Sequence, residues 1–252
     1  MPELSPEIWL IAIMVTLFAG FVKGVVGFAL PMVMISGMAS IFAPDVALAA
    51  LILPAVATNL LQAFRNGWRA AVEAMKDHWR FIVVLWIVLA FSAQLITVLP
   101  EYAMFLILGV PVTIFSFLQL MGWRLRFRPE ARRRVEVVIG AFAGFVGGLS
   151  GVWGPPTVAY LTAIDTQKTE QMRVQGVIYG IGAVALLAAH LQSGVLNRAT
   201  LPLSAALLVP ALLGMAAGFR LHDRMPQTAF RRATLLVLVV AGLNLMRRGL
   251  LG

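Results

Sequence analysis

The sequence predicts an all-α integral membrane protein of two homologous repeats in inverted orientation, each a Gly/Pro-broken helix hairpin followed by three transmembrane helices. Three observations predict it: the composition, the spacing of the apolar stretches, and a duplicated glycine-rich motif. Of 252 residues, 60% are hydrophobic and only 12% charged, with a mean hydropathy of +0.90, outside the range of soluble domains. The chain contains no cysteine, which excludes disulfides, thiolate nucleophiles and iron–sulfur chemistry. His78, His190 and His222 are too scattered for a metal cage, so no metal and no cofactor are expected.

Apolar stretches run over 8–22, 28–42, 46–64, 79–99, 102–123, 135–153, 155–164, 172–191, 201–221 and 229–246. A bilayer core of about 30 Å needs about 20 helical residues, and six of these stretches (46–64, 79–99, 102–123, 172–191, 201–221 and 229–246) suffice as single crossings. The other four form two close pairs. As one helix, residues 8–43 would run about 54 Å, too long for one crossing, so a break is expected at Gly24, Gly27 and Pro31. Gly147, Gly148, Gly151, Gly154, Pro155 and Pro156 do the same in the second pair. The stretch 8–22 is not expected to be a secretory signal, because Glu3 and Glu7 precede it and no Lys or Arg does.

The charge of +9 raises nucleic acid as a partner, but most of the 20 basic residues lie in short runs between apolar stretches, where they set orientation instead. If each pair reverses direction, the loops 65–80, 124–134, 165–173 and 220–232 share one side and collect 16 of the 20 Lys and Arg. If each pair crosses once, the split is 13 against 6. The reversing count is preferred, with the Arg124–Arg134 loop in the cytoplasm and both termini outside. The expected organisation is a first membrane repeat over 1–123, a basic cytoplasmic linker over 124–134 and a second repeat over 135–252.

Residues 18–31 (Phe-Ala-Gly-Phe-Val-Lys-Gly-Val-Val-Gly-Phe-Ala-Leu-Pro) and 142–155 (Phe-Ala-Gly-Phe-Val-Gly-Gly-Leu-Ser-Gly-Val-Trp-Gly-Pro) agree at eight of 14 positions. Leu99-Pro100-Glu101 and Met225-Pro226-Gln227 lie at nearly the same offset, which extends the repeat over both halves. Repeats of five segments must be inverted, as in many secondary transporters whose broken helices meet near the midplane. Two F-x-G-F-x-x-G-x-x-G-x-x-x-P motifs, one opening each half, resemble the TauE/SafE-type sulfite exporter family across essentially the whole chain. That resemblance implies transport of small sulfur-containing or organic anions, such as sulfite or sulfonates, across a bacterial inner membrane. Glycine runs often precede the motif proline in that family, whereas here the copies read Gly27-Phe-Ala-Leu-Pro31 and Gly151-Val-Trp-Gly-Pro155-Pro156.

All 11 acidic residues fall in loops or near segment ends, with Glu136 at the start of its helix, so a mid-span carboxylate for a cation carrier is lacking. The central charge is cationic: Lys23. Helices restarting near Pro31 and Pro155 would aim backbone N–H groups inward, and Gly24, Gly27, Gly148 and Gly151 would let an anion approach. Ser150 and Trp153 could add a hydroxyl donor and an indole wall, while Thr58, Asn59, Gln175 and Tyr179 are polar groups within apolar helices. The expected substrate site is therefore Lys23, Gly24, Gly27, Pro31, Thr58, Asn59, Gly148, Ser150, Gly151, Trp153, Pro155 and Gln175. Other readings stand beside it: Lys23 as one more orientation charge, the glycines as packing positions, the polar groups as helix-to-helix bonds. His222-Asp223-Arg224 reads as a cytoplasmic cap. The expected partners are a small anionic substrate and the lipid bilayer, without nucleic acid; a homo-oligomer is compatible. An anion channel is the alternative to a carrier. A membrane-embedded enzyme would need a nucleophile or a paired acid and base that no span supplies. The chain's natural lack of cysteine gives a direct topology test: a Gly252→Cys variant should be labelled by an impermeant thiol reagent from outside the cell, and labelling only from the cytoplasmic side would overturn the reversing count.

Overall fold

The computed structural model describes residues 5–38, 40–92, 101–123, 131–150 and 152–251, with the backbone alone at Glu101, Met104, Ser150 and Leu251. Most of the linker 124–134, Leu99-Pro100 and Gly151 lie outside the described residues. The described residues form eleven helices and no strand: α1 (Pro6–Val26), α2 (Leu30–Met38), α3 (Pro44–Phe64), α4 (Trp68–Asp77), α5 (Trp79–Ser92), α6 (Glu101–Leu120), α7 (Arg132–Ser150), α8 (Gly154–Ala163), α9 (Lys168–Gln192), α10 (Leu201–Arg224) and α11 (Gln227–Leu251). Helices α1, α3, α9, α10 and α11 are each long and apolar enough to cross a membrane, and the chain is a multi-pass membrane protein.

Helix α1 starts where Ser5 Oγ accepts from the Ile8 N–H at 3.4 Å, with Pro6 at the first helical position and Glu7 in the first turn. It ends at Gly27, whose φ of 88° and N–H bond to the Lys23 carbonyl close it with a left-handed cap. Gly24 does not break the helix, contrary to the expectation from sequence. The break lies at Gly27 to Ala29, with Ala29 also at positive φ, 76°. At nine residues α2 extends only about 14 Å, and α8 at ten residues about 15 Å, so neither crosses the bilayer. Both fold back along their partners. A Cβ on Gly37, near the end of α2, would lie 2.5 Å from Val15 in the middle of α1. In the second pair, the Tyr160 hydroxyl on α8 reaches Glu136 near the start of α7.

The chain folds as two compact units, residues 1–71 with 175–225 and residues 72–174 with 226–252. Each draws on both halves of the sequence. In the first unit α1 and α10 run parallel and touch backbone to backbone. A Cβ on Gly20 would lie 2.2 Å from the Ala211 carbonyl oxygen, and one on Gly218 would lie 2.2 Å from that of Phe21. Gly20 and Gly24 on one helix and Gly214 and Gly218 on the other form the small-xxx-small pattern that brings membrane helices together without a hydrophobic driving force. The apolar core here joins Leu30, Met34 and Met38 of α2 to Ala50, Leu51 and Leu207. Pro54 inside α3 has no N–H for the Ala50 carbonyl. The Ser204 hydroxyl donates to that carbonyl at 3.4 Å and accepts from the Leu53 N–H at 3.1 Å, so α10 repairs the gap.

In the second unit α5 and α7 are likewise parallel and close, with Gly140 against Phe81 and Gly144 against the Leu85 carbonyl. Helices α6 and α11 run antiparallel through Gly109 and Gly242. Four basic stretches meet within this unit: Arg80 and Arg132 share Glu136, His78 contacts Glu170, and Arg231 pairs with Asp165. Read as a loop from the sequence, residues 65–80 hold α4, which buries Ala71 and Ala74 and exposes Arg69, Glu73 and Lys76. Gly20→Ala should lower stability by about 1–3 kcal/mol through backbone overpacking, measured by thermal unfolding in detergent. Gly180→Ala should leave the midpoint unchanged, because its Cβ would meet nothing nearer than Leu60 Cδ2 at 3.8 Å.

Candidate functional site

Three helices of the first unit bring polar side chains to the broken end of α1. Lys23, in the last turn before the cap, is 1% exposed, and its Nζ donates to Asn59 Oδ1 of α3 at 2.5 Å. The same nitrogen lies 5.8 Å from the centre of the Tyr179 ring of α9, within cation–π range. Gln62, one turn beyond Asn59, donates its Nε2 to the Gly27 carbonyl at 3.0 Å. His222 of α10 donates Nδ1–H to the Val25 carbonyl at 3.1 Å, since a carbonyl can only accept. A helix that ends among buried side chains leaves carbonyls no water can satisfy, and Gln62 and His222 cap two of them.

Close approach of α9 to α3 makes this arrangement possible. A Cβ on Gly176 would lie 2.5 Å from the Ala63 nitrogen, so glycine is needed where the two backbones meet. Gln175 is fully buried beside it, and Tyr179 follows one turn later. Thr58 is buried too, but its hydroxyl donates to the Pro54 carbonyl of its own helix at 2.6 Å. Gly24 packs against α10, where a Cβ would lie 2.4 Å from the Met215 carbonyl oxygen. Pro31 is exposed in the first turn of α2, a position where its missing N–H costs nothing.

Residues of the second motif lie in the second unit. Gly148 is half-buried in the last turn of α7 and Ser150 ends that helix; Gly151 lies outside the described residues. Trp153 caps α8 and packs on Trp86, ring centres 5.8 Å apart at 59°. Gly147 makes room for it: a Cβ there would lie 2.9 Å from Trp153 Cβ. Pro155 is buried in the first turn of α8. Sequence reasoning missed Gln62, although Thr58, Asn59 and Gln62 at i, i+1 and i+4 mark one polar face of an apolar helix. It also misread His222, which is buried at 2% exposure instead of forming a surface cap.

The family described as sulfite exporter TauE/SafE matches residues 12–245, nearly the whole chain. The chain belongs to the TauE/SafE family. TauE/SafE proteins are membrane transporters of sulfite-type anions and not enzymes, which agrees with a chain of membrane-crossing helices. Neither the curated proteins nor the solved structures yield a match. For this TauE/SafE protein, Asn59→Leu should strip the Lys23 ammonium of its acceptor and lower stability by about 1.5–3 kcal/mol, the worth of a hydrogen bond to a charged group. Lys23→Met with Asn59→Leu should recover most of that loss, read as the coupling term of a double-mutant cycle in thermal unfolding.

Proposed function

We propose that this protein is a secondary transporter that exports small anions such as sulfite, sulfonates or related organosulfur anions across the bacterial inner membrane. The observation that carries this reading is the Lys23 ammonium. It is buried, it meets an amide oxygen and an aromatic face, and among the described residues it forms no ion pair. A buried charge without a counter-charge is costly, and an arriving oxyanion supplies the missing partner. Asn59 and Tyr179 stand beside it, and Gln175 lies one turn before Tyr179 on the same helix. Residues 1–123 and 135–252 serve as inverted repeats. The second motif, from Gly148 through Ser150, Gly151, Trp153 and Pro155, provides the counterpart of the first, and alternating access proceeds by movement of these broken helices.

Radiolabelled sulfite uptake into proteoliposomes tests this. Wild-type protein should move sulfite, and Lys23→Met should reduce the rate by about tenfold or more, the equivalent of one charge-assisted hydrogen bond, with the helical content unchanged. Equal flux in the two proteins, or none in wild type, refutes the reading. Acceleration by unlabelled sulfite on the opposite side should accompany transport, since a carrier shows it and a channel does not.

A further inference from the structure

Away from the Lys23 site, the second unit buries a set of ionisable side chains that anion binding leaves unused. Glu136 is completely buried, although the sequence places it only at the start of a helix. Its Oε1 accepts from Arg132 Nε at 2.9 Å and its Oε2 from Arg80 Nη1 at 3.2 Å. The Tyr160 hydroxyl of α8 stands 3.4 Å from the same Oε1 and 3.1 Å from Nδ1 of His78, which joins α4 to α5. On its other edge, His78 Nε2 lies 3.2 Å from Glu170 Oε1 of α9. His78 is fully buried, whereas the Glu170 side chain is 39% exposed and opens the chain of contacts to water. Phe81 stacks on the Tyr160 ring at 4.4 Å and 8°, which fixes where the hydroxyl sits.

Hydrogen counting gives this framework two states. The Tyr160 hydroxyl has one hydrogen and two neighbours able to accept it, His78 Nδ1 and Glu136 Oε1. With neutral imidazole, the ring places its single N–H on Nε2, where it donates to the Glu170 carboxylate. Nδ1 is then an acceptor and takes the Tyr160 hydrogen. With imidazolium, both nitrogens donate, Nδ1 to the Tyr160 oxygen, and the Tyr160 hydrogen turns to Glu136. Proton uptake forms one N–H bond, the proton coming from water on the Glu170 side, and no other covalent bond changes. The heavy atoms stay within hydrogen-bond reach in both states: the bond between α8 and the α4–α5 junction persists with its direction reversed, and protonation adds the bond from Tyr160 of α8 to Glu136 of α7.

We infer that His78 is a proton-binding site whose ionisation Tyr160 passes to helix α8, making the proton the ion coupled to transport. This rests on the transport function proposed above, because α7 and α8 carry the second broken-helix motif. The charged groups facing His78 are Glu170 directly and Glu136 through Tyr160, with Arg80 and Arg132 beyond. Arg173 acts on Glu170 from the next turn of α9, and Glu73, Lys76 and Asp77 of the preceding helix are exposed. Two guanidinium groups compensate Glu136, while histidine is the side chain whose ordinary titration range covers physiological pH, so His78 is the member suited to exchange a proton.

Two measurements on the full chain test the inference. The first is nitrogen NMR of histidine-labelled protein in detergent, with the His78 signals assigned by their loss in His78→Gln. Between pH ~8 and ~5, the range in which imidazoles titrate, His78 should pass from the Nε2–H form to the doubly protonated form. Tyr160→Phe, which keeps the Phe81 stack, should move that midpoint by about half a unit or more. A His78 ring fixed in one form across the range, or a midpoint indifferent to Tyr160→Phe, overturns the proton site. In the second, a pH dye inside proteoliposomes records protons moved with sulfite. Protons carried by bisulfite itself are common to all variants, so the excess in wild type reads His78. That excess should fall about tenfold or more in His78→Gln, or in Tyr160→Phe should the first not fold. An excess unchanged in both, or absent from wild type, overturns the coupling. Wild type that moves no sulfite strikes the transport function instead, and the NMR titration still decides the proton site.

Discussion

Ending α1 where no water reaches is the constraint on which the first unit depends. Exposed, the last carbonyls of α1 would be solvated; buried, each orphan costs about 1–3 kcal/mol. Gly27 turns the chain in the left-handed region and gives its N–H to Lys23 O, Gln62 takes the Gly27 carbonyl and His222 takes that of Val25. These capping groups come from α3 and α10, so the broken end exists only because two other helices hold it. The Lys23–Asn59 hydrogen bond is a by-product of the same arrangement: Asn59 stands one turn before Gln62 on the capping face of α3.

Close packing of glycine faces makes those distances possible. Leu or Val in place of Gly20, Gly24, Gly214 or Gly218 would hold α1 and α10 apart, and His222 would then be unable to reach the Val25 carbonyl. The second unit uses the same device at Gly140 and Gly144 between α7 and α5. Both units thus set a broken helix rigidly against one parallel neighbour and leave the short return helix, α2 or α8, with different company. In α8 that company is ionisable: Tyr160 stands between a histidine and a carboxylate. In α2 it is apolar, with Leu30, Met34 and Met38 facing alanines and leucines. A transporter that binds an anion near one broken helix and a proton near the other would have its two ligands acting on different moving parts.

The apolar stretches, the two breaks and the basic runs determined the all-helical membrane class, the reversing pairs and the family by themselves, because length, hydropathy and glycine-proline punctuation act locally along the chain. Lys23 and Asn59 were legible for the same reason: a charge and an amide within apolar helices stand out wherever they fold. Tertiary structure alone decided the rest. Whether Gly24 breaks a helix or packs one depended on Met215 and Gly218, nearly 200 positions away, and its neighbours required packing. Glu136 and His78 read as end-of-helix and loop residues, since burial is a property of what lies opposite, and Tyr160, Arg80, Arg132 and Glu170 come from four separate stretches. Periodicity tells which face of a helix is apolar; only the folded chain decides which polar groups meet, because hydrogen bonds are made by partners that the sequence does not place side by side.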